Sequence, residues 1–363
     1  MNSRDRALKA INHLPTDHVP LDYKSRSDVT NGLIFYLGLN SKEELYKRLG
    51  IDFRRIPIEM HDTNFENRTT GKLEGHSASC GCRYIMHDDG TFEDEWGVIR
   101  CVGQDKLYER WISGPFVEHK NIDSFNWPDL KSFDSVQFLR SRCLAYQNEY
   151  ALCGRLNLPF KVAWHMRGFE NFLCDMLTDP LFAKDLLDRI ALYEIEKGMR
   201  FIKAGVDIIE IIGDLAMQDR LFIHPNSWRE IEKPILSEMI KSFRKVNPNI
   251  FIFYHSDGNI MELIPDFIEI GVDIIDPIQP ESMDPIEVKK KYGDKITLHG
   301  TISVQTTLPK GSVEDVKRAV YDRIRTCGRN GGLIIGPTNN LQNDIPFENI
   351  IAMYDAVLNY SKK

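Results

Sequence analysis

The stretch FYHSDGNI, residues 253–260, places an imidazole and a carboxylate directly after an apolar run. His255 and Asp257 stand two residues apart, where they can exchange protons near neutral pH or hold a divalent cation such as zinc. A structural role is the alternative, in which Asp257 caps the helix that follows and His255 makes local hydrogen bonds. We treat His255 and Asp257 as candidate catalytic residues and as candidate metal ligands.

Other apolar runs also end in polar side chains. In VDIIEIIGD the run ends at Asp214, a third candidate catalytic residue. A carboxylate inside that run, Glu210, would need a partner such as Arg167 or a metal if it were buried. The candidate substrate-binding residues from such positions are His165, Arg167, Glu210, Gln218, His299 and Asn339.

Short apolar runs alternate with helical patterns along much of the chain. The sequence GVDII occurs twice, at 205–209 and 271–275, each time after a helix-like stretch. The other predicted strands lie at 18–23, 159–166, 249–257, 295–301 and 331–338. Strands separated by helices pair in parallel, and the first strand is not followed by the GxGxxG of a dinucleotide-binding sheet. The pattern favours an α/β fold, a TIM-like (β/α)8 barrel with its chemistry at the carboxyl ends of the strands.

The segment 67–115 differs from the rest because it is rich in glycine and in short alternating runs, with DDGT as a turn signal. We expect it to be a β-hairpin excursion from the barrel. The domain prediction is one barrel domain over residues 1–363, with 67–115 as a hairpin insertion.

The overall composition excludes several classes of protein. A net charge of −7 over 363 residues gives no basic footprint for nucleic acid. There is no run of 18 apolar residues for a membrane span and no apolar core of a signal peptide at the N-terminus. Seven scattered cysteines predict reduced thiols. We expect a cytoplasmic enzyme.

Several motifs, taken in order, resemble the uroporphyrinogen decarboxylase superfamily, which also contains corrinoid-linked methyltransferases. They are RDRALKAINHLPTDHVPLD, DGTFEDEWGVI, WHMRGFENF, GDLAMQDRLFIHPNSWREIEKP, YHSDGNI, HGTISVQTTLP and GGLIIGPTNNLQNDIPFENIIAMYDA. The resemblance runs nearly end to end. It implies a distorted (β/α)8 barrel with the site at the strands' carboxyl ends, and a homodimer, since dimers are common in the family.

The resemblance separates two chemistries. The decarboxylases hold substrate carboxylates with an arginine-rich N-terminal segment, whereas LDYKSRSD at 21–28 offers only Lys24 and Arg26. The thiol and methanol methyltransferases hold zinc with a His-x-Cys pair and a later cysteine. This chain keeps His255 but has Asp257 at the first cysteine position, and Asn339 stands near the second. A harder ligand set of this kind suits an ether or phenol oxygen, as in O-demethylases.

The expected activity is therefore transfer of a methyl group from a small methylated ether, phenol ether or amine to the cob(I)alamin of a separate corrinoid protein. Zinc is the expected metal, and one-carbon metabolism the expected setting. A metal-independent decarboxylase of a porphyrinogen or a smaller carboxylate is the alternative enzyme. A non-catalytic binder of corrinoids or tetrapyrroles is the alternative from another class.

Overall fold

The computed structural model describes residues 1–58, 72–76, 83–103, 109–127, 131 and 133–360. The strands are β1 Phe53–Ile56, β2 Lys72–His76, β3 Arg83–Met86, β4 Thr91–Asp94, β5 Ile99–Val102, β6 Glu109–Ser113, β7 Ala151–Asn157, β8 Ile208–Ile212, β9 Phe251–His255, β10 Ile274–Asp276, β11 Thr297–Ile302 and β12 Leu333–Pro337. The helices are α1 Ser3–Ile11, α2 Ser27–Tyr36, α3 Lys42–Leu49, α4 Val136–Leu144, α5 Pro159–Arg167, α6 Phe169–Thr178, α7 Pro180–Ala204, α8 Pro225–Val246, α9 Ile264–Ile270, α10 Pro285–Tyr292, α11 Thr307–Lys310, α12 Val313–Cys327 and α13 Phe347–Tyr360.

Seven strands form one parallel sheet in the order β1-β7-β8-β9-β10-β11-β12. The short segment 20–22 joins its two edges. On one side the Asp22 amide donates to the Ile335 carbonyl, and the Ile335 amide donates to the Pro20 carbonyl, both at 2.9 Å. On the other side the Asp52 amide donates to the Leu21 carbonyl at 2.9 Å. The sheet therefore curls into a TIM-like barrel, as predicted, with 20–22 in the eighth strand position.

The two GVDII repeats form equivalent helix–strand junctions. Gly205 ends α7 with φ +106°, and Gly271 ends α9 with φ +94°. Such left-handed caps favour glycine because a Cβ atom is strained there. Strands β8 and β10 follow directly, as the sequence predicts. None of the described helices is both long and apolar enough to cross a membrane.

The barrel interior has an apolar layer below a charged one. The apolar layer comprises Phe53, Ala151, Cys153, Ile208, Phe253, Ile274 and Ile334, with Ala7 and Ile11 of α1 packed against them. Side chains two residues apart on a strand share a face. On five of these strands the next inward position is charged or titratable, and these residues are Arg55, Arg155, Glu210, His255 and Asp276. The fold thus places ionisable groups above an apolar floor.

The segment 67–115 contains more structure than the expected hairpin. Within its described part, β2 to β6 form a second, antiparallel five-stranded sheet in sequence order. The DDGT signal lies at the turn between β3 and β4, where the His87 amide donates to the Thr91 carbonyl at 2.8 Å. Residues 67–71, 77–82 and 104–108 of the prediction lie outside the described residues.

The strand predicted at 159–166 is wrong, because these residues form α5. Pro159 occupies the first turn, where its missing N–H costs no helical hydrogen bond. Phe160, Ala163 and Met166 are fully buried at helical spacing. The barrel strand here is β7, which ends two residues before the helix begins.

Candidate active site

Three predicted catalytic side chains meet at the carboxyl ends of two neighbouring strands. Asp214 follows β8, His255 is the last residue of β9, and Asp257 lies two residues later. One potential ligand atom from each of these residues lies within 4.8 Å of the other two. The Asp257 amide donates to Asp214 Oδ1 at 3.1 Å, so the two loops are held together.

The imidazole of His255 is oriented by a carboxylate from the next strand. Its Nδ1 lies 2.5 Å from Oδ2 of Asp276, and the Asp276 carboxyl group is fully buried. Burial would raise the pKa of Asp276, but Lys24 and the two histidines hold that pKa well below its usual range. An ionised carboxylate only accepts hydrogen bonds, so Nδ1 carries the proton. In the neutral form of the ring the lone pair is then on Nε2, which is 3.8 Å from Asp214 Oδ1.

His299 is a positively charged part of the same network. Its Nδ1 lies 2.5 Å from Asp276 Oδ1 and its Nε2 lies 3.0 Å from Asp22 Oδ2. Burial opposes the charge, yet the carboxylates of Asp276 and Asp22 raise the pKa of His299. Both ring nitrogens face ionised acceptors, so both donate and the ring is an imidazolium. The structure therefore places His299 behind His255 rather than beside an open cavity.

The charge network continues across the barrel to Glu210. Arg55 pairs with Asp22 at 2.6 Å and with Glu210 at 2.8 Å, and Arg155 Nε lies 3.4 Å from Glu210. Burial would raise the pKa of Glu210, but Arg55 and Arg155 outweigh it and lower that pKa. The partner expected for Glu210 was Arg167 or a metal, and the structure corrects this to two arginines that the sequence analysis did not consider.

Asp257 is held by two amides, and Asp214 by a lysine. Asn339 Nδ2 donates to Asp257 Oδ2 at 2.5 Å, and Gln279 Nε2 donates to Oδ1 at 3.2 Å. Burial raises the pKa of Asp257 to about 6, opposed by His255 and reinforced by Asp214. Lys161 lies 3.4 Å from Asp214, and with His255 it outweighs burial and lowers the pKa of Asp214.

A cavity of about 520 Å³ opens beside this cluster. Asp257, Gln279 and Asn339 line its inner wall, and Gln218 and Met217 lie on the exposed β8 loop. The structure thus brings Gln218 and Asn339 to the same cavity as Asp257. This is the space available for a small-molecule substrate.

His165 and Arg167 lie elsewhere, on α5. His165 Nδ1 accepts from Arg100 at 3.2 Å, and its carbonyl accepts from Trp111 Nε1 at 2.8 Å. Arg167 pairs with Asp175 at 2.6 Å and donates to two backbone carbonyls. These contacts connect α5 to the second sheet and to α6. They lend no support to the substrate-binding roles predicted for the two residues.

The site residues that were absent from the sequence-based candidates are Asp22, Arg55, Arg155, Lys161, Asp276 and Gln279. For Asp276 a signal existed, because the second GVDII repeat runs into it just as the first runs into Glu210. Lys24, considered only as a substrate cation, instead forms an ion pair with Asp276.

The Asp214, His255 and Asp257 cluster fits a divalent cation of the zinc type. One imidazole and two carboxylates are suitable donors, and three protein ligands leave a position open for substrate. The Asp276 carboxylate behind His255 is the outer contact that metal-ligating histidines commonly make. Burial raises the pKa of Asp257 and the Asp214 carboxylate adds to the rise, and a cation bound between the two carboxylates would favour their ionised forms.

Residues 112–360 match the sequence profile described as uroporphyrinogen decarboxylase (URO-D). The chain belongs to this family. Among its relatives, a methylated-thiol–coenzyme M methyltransferase of Methanosarcina mazei is 25% identical over 267 residues, 70% of this chain and 67% of that protein. A uroporphyrinogen decarboxylase of Legionella pneumophila is 22% identical over 256 residues, 68% and 70% of the two chains.

Two further likenesses are to proteins described as methyltransferases. A methylcobamide:CoM methyltransferase of Methanosarcina barkeri is 23% identical over 202 residues, 53% of this chain and 56% of that one. A solved methyltransferase from Methanosarcina mazei superposes with a TM-score of 0.67 at 17% identity, covering 99% of both chains. The structural likeness concerns the fold, and the curated relatives are enzymes of both chemistries.

Proposed function

We propose that this chain transfers a methyl group from a small methylated ether, phenol ether or amine to the cob(I)alamin of a separate corrinoid protein. The observation that carries the proposal is the cluster of Asp214, His255 and Asp257 at the barrel mouth, with His255 held by Asp276 so that its Nε2 lies 3.8 Å from Asp214 Oδ1. The methyltransferase relatives support the reaction class.

The ligand set favours an oxygen or nitrogen leaving group over a thiolate. Where a Cys-rich zinc site would offer sulfur, this chain offers Asp257, and Asn339 stands beside it. Carboxylate and imidazole donors suit a harder centre than thiolates do. One bound divalent cation would polarise the substrate heteroatom and so weaken its bond to the methyl group.

In the transfer itself, the cobalt(I) electron pair attacks the methyl carbon. The C–O or C–N bond breaks, its electron pair stays on the heteroatom, and cobalt becomes methyl-cobalt(III). The leaving heteroatom then takes up a proton, which His255 or Asp257 supplies if no cation is bound. Gln218, Gln279 and Asn339 line the cavity where the substrate would be oriented.

Product analysis tests this proposal. The purified chain is incubated with enzymatically or chemically reduced cob(I)alamin and a panel of methyl aryl ethers, methyl alkyl ethers and methylamines. The expected result is methylcob(III)alamin and the demethylated product in equal amounts. No methylcob(III)alamin with any donor would overturn it, and tight corrinoid binding with no turnover would indicate a non-catalytic binder.

A decarboxylase is the second candidate, because one observation favours it. Residues 21–28 contain a single arginine, Arg26. Two further arginines, Arg55 and Arg155, line a basic cavity at the barrel mouth. In that reaction the carbon–carboxylate bond breaks, carbon dioxide leaves, and the carbon keeps the electron pair and takes a proton. The products separate the two candidates, and loss of activity on chelation would count against the decarboxylase, which needs no metal.

A further inference from the structure

A second cavity of about 510 Å³ adjoins the candidate active site and is strongly basic. The charged residues that line it are Lys24, Lys42, Arg54, Arg55, Arg155 and Glu43. Five cations and one carboxylate therefore face one space. These six residues lie just after the segment 20–22 and on α3, β1 and β7. The fold therefore brings them together, since they do not form one basic run in the sequence.

Three of the five cations are neutralised by close carboxylates. Lys24 pairs with Asp276, Arg54 with Glu43 at 2.8 Å, and Arg55 with Asp22 and Glu210. These ion pairs account for the positions of Lys24, Arg54 and Arg55 without any ligand.

The other two cations, Lys42 and Arg155, are not neutralised in this way. Arg155 reaches Glu210 only through Nε at 3.4 Å, its side chain is 45% exposed, and its two Nη atoms make no hydrogen bond within the described ranges. Lys42 forms no ion pair with any described residue, and its ammonium lies 5.3 Å from the Tyr46 ring centroid. Burial and then Arg55, Arg155 and Arg54 lower the pKa of Lys42. The positive charges of Lys42 and the three arginines therefore repel one another, and a bound anion would reduce this repulsion.

The basic cavity is joined to the candidate active site at two points. Asn340 lines both cavities. Lys24 lines the basic cavity, while its ammonium contacts Asp276 Oδ2, the oxygen that also binds His255 Nδ1. A ligand with its anionic end in the basic cavity therefore extends toward the cluster of Asp214, His255 and Asp257.

We propose that the basic cavity is an oxyanion-binding subsite, in which Lys42 and Arg155 bind a carboxylate, phosphate or sulfonate group at the far end of the substrate. A guanidinium and an ammonium are the usual protein partners of such groups, and charge-assisted hydrogen bonds are the stronger ones. Binding of the oxyanion is independent of the reaction, whereas its assignment to the substrate rests on the proposed function.

Sulfate titration by isothermal calorimetry, at constant ionic strength set with chloride, tests the subsite. We expect saturable binding to the full chain, weakened roughly tenfold in Lys42→Gln and in Arg155→Gln. The controls Lys317→Gln and Arg325→Gln remove exposed cations from α12 and should bind sulfate as the wild type does. Equal sulfate binding in all five proteins would overturn the subsite.

Thermal melting without sulfate separates ligand binding from a structural role. Lys42→Gln removes a like charge from beside three arginines, so its melting temperature should equal or exceed that of the wild type. A clear loss of stability in Lys42→Gln would show that the ammonium serves the fold, which contradicts the proposal. Arg155→Gln leaves Glu210 paired with Arg55 and provides a second, independent variant.

Paired methyl donors test the assignment to the substrate. The KM of a methyl aryl ether bearing a carboxylate is compared with that of its carboxamide. We expect about tenfold preference for the carboxylate, lost in Lys42→Gln and kept in Lys317→Gln. Equal KM values for the two donors in the wild type would show that the anion bound in the subsite is not part of the methyl donor. Sulfate binding without any methyl transfer would leave the subsite standing and refute the proposed function instead.

Discussion

His255 and His299 share one carboxylate, each placing its Nδ1 2.5 Å from a different oxygen of Asp276. The consequence differs for the two rings, because His299 also meets Asp22 through Nε2 and His255 does not. His299 is thereby held between two carboxylates, whereas the Nε2 of His255 points to the cluster, 3.8 Å from Asp214 Oδ1. One buried aspartate therefore prepares His255 as a ligand or base.

Replacing that aspartate should disable His255 without removing it. In Asp276→Asn the amide nitrogen is a donor, so one histidine loses its acceptor and the fixed tautomer is lost. We expect zinc affinity and methyl transfer to fall about 10- to 100-fold, as for other outer-shell partners of metal ligands. Zinc titration and single-turnover rates measure this. Asp273→Asn, three residues earlier and paired with Arg244, is the control and should retain both.

Glu232 on α8 provides a test of stability against pH. It is buried, neither carboxyl oxygen has a hydrogen-bond partner among the described residues, and burial raises its pKa well above the usual value. The folded state therefore keeps a proton that the unfolded chain loses above about pH 4.3. This contribution to stability is full below that pH and declines by about 1.4 kcal/mol per unit as the pH rises toward the folded pKa.

Urea unfolding at pH 5, 6 and 7 measures this decline. Glu232→Gln cannot ionise, so its advantage over the wild type should grow by about 1.4 kcal/mol per pH unit until the pH reaches the folded pKa of Glu232. Glu230→Gln changes an exposed neighbour and should follow the wild type. Parallel curves for Glu232→Gln and the wild type would show that the carboxyl group titrates normally.

Gly258 keeps the loop of Asp214 close to the loop of Asp257. Its φ is +86°, and a Cβ atom there would lie 2.2 Å from the Met217 carbonyl oxygen. Gly258→Ala should therefore displace the loop of Asp214 from that of Asp257, lowering both stability, by about 1–3 kcal/mol, and methyl transfer. Gly90→Ala is matched, since its φ is +81° and a Cβ would meet nothing within 4 Å. Equal effects in the two variants would mean that backbone strain alone matters.

Sequence reasoning located the mouth of the barrel because local patterns carry that information. The GVDII repeats, with glycine caps before branched residues, predicted β8 and β10. The stretch FYHSDGNI predicted His255 and Asp257 at the end of a strand. The strand register that places Asp276 beside His255 depends on tertiary structure. In the sequence, the only indication of it is that β9 and β10 are consecutive strands.

Two errors have physical causes. The run PFKVAWHM is short and apolar, and periodicity alone does not distinguish a buried strand from a buried helix. Pro159 at its start was the available helix signal. The strand β1 was missed because its two arginines interrupt the apolar run. Arg55 is tolerated inside the barrel only because Asp22 and Glu210, distant in sequence, neutralise it.

The proposed function requires that Asp214, His255 and Asp257 activate a methyl donor for attack by cobalt(I). Single-turnover formation of methylcob(III)alamin, followed by absorbance with zinc-loaded wild type and with His255→Ala, tests it most directly. We expect the wild type to methylate cob(I)alamin and the variant to be at least about 100-fold slower at unchanged fold, judged by circular dichroism. Equal rates in the two proteins would contradict the account.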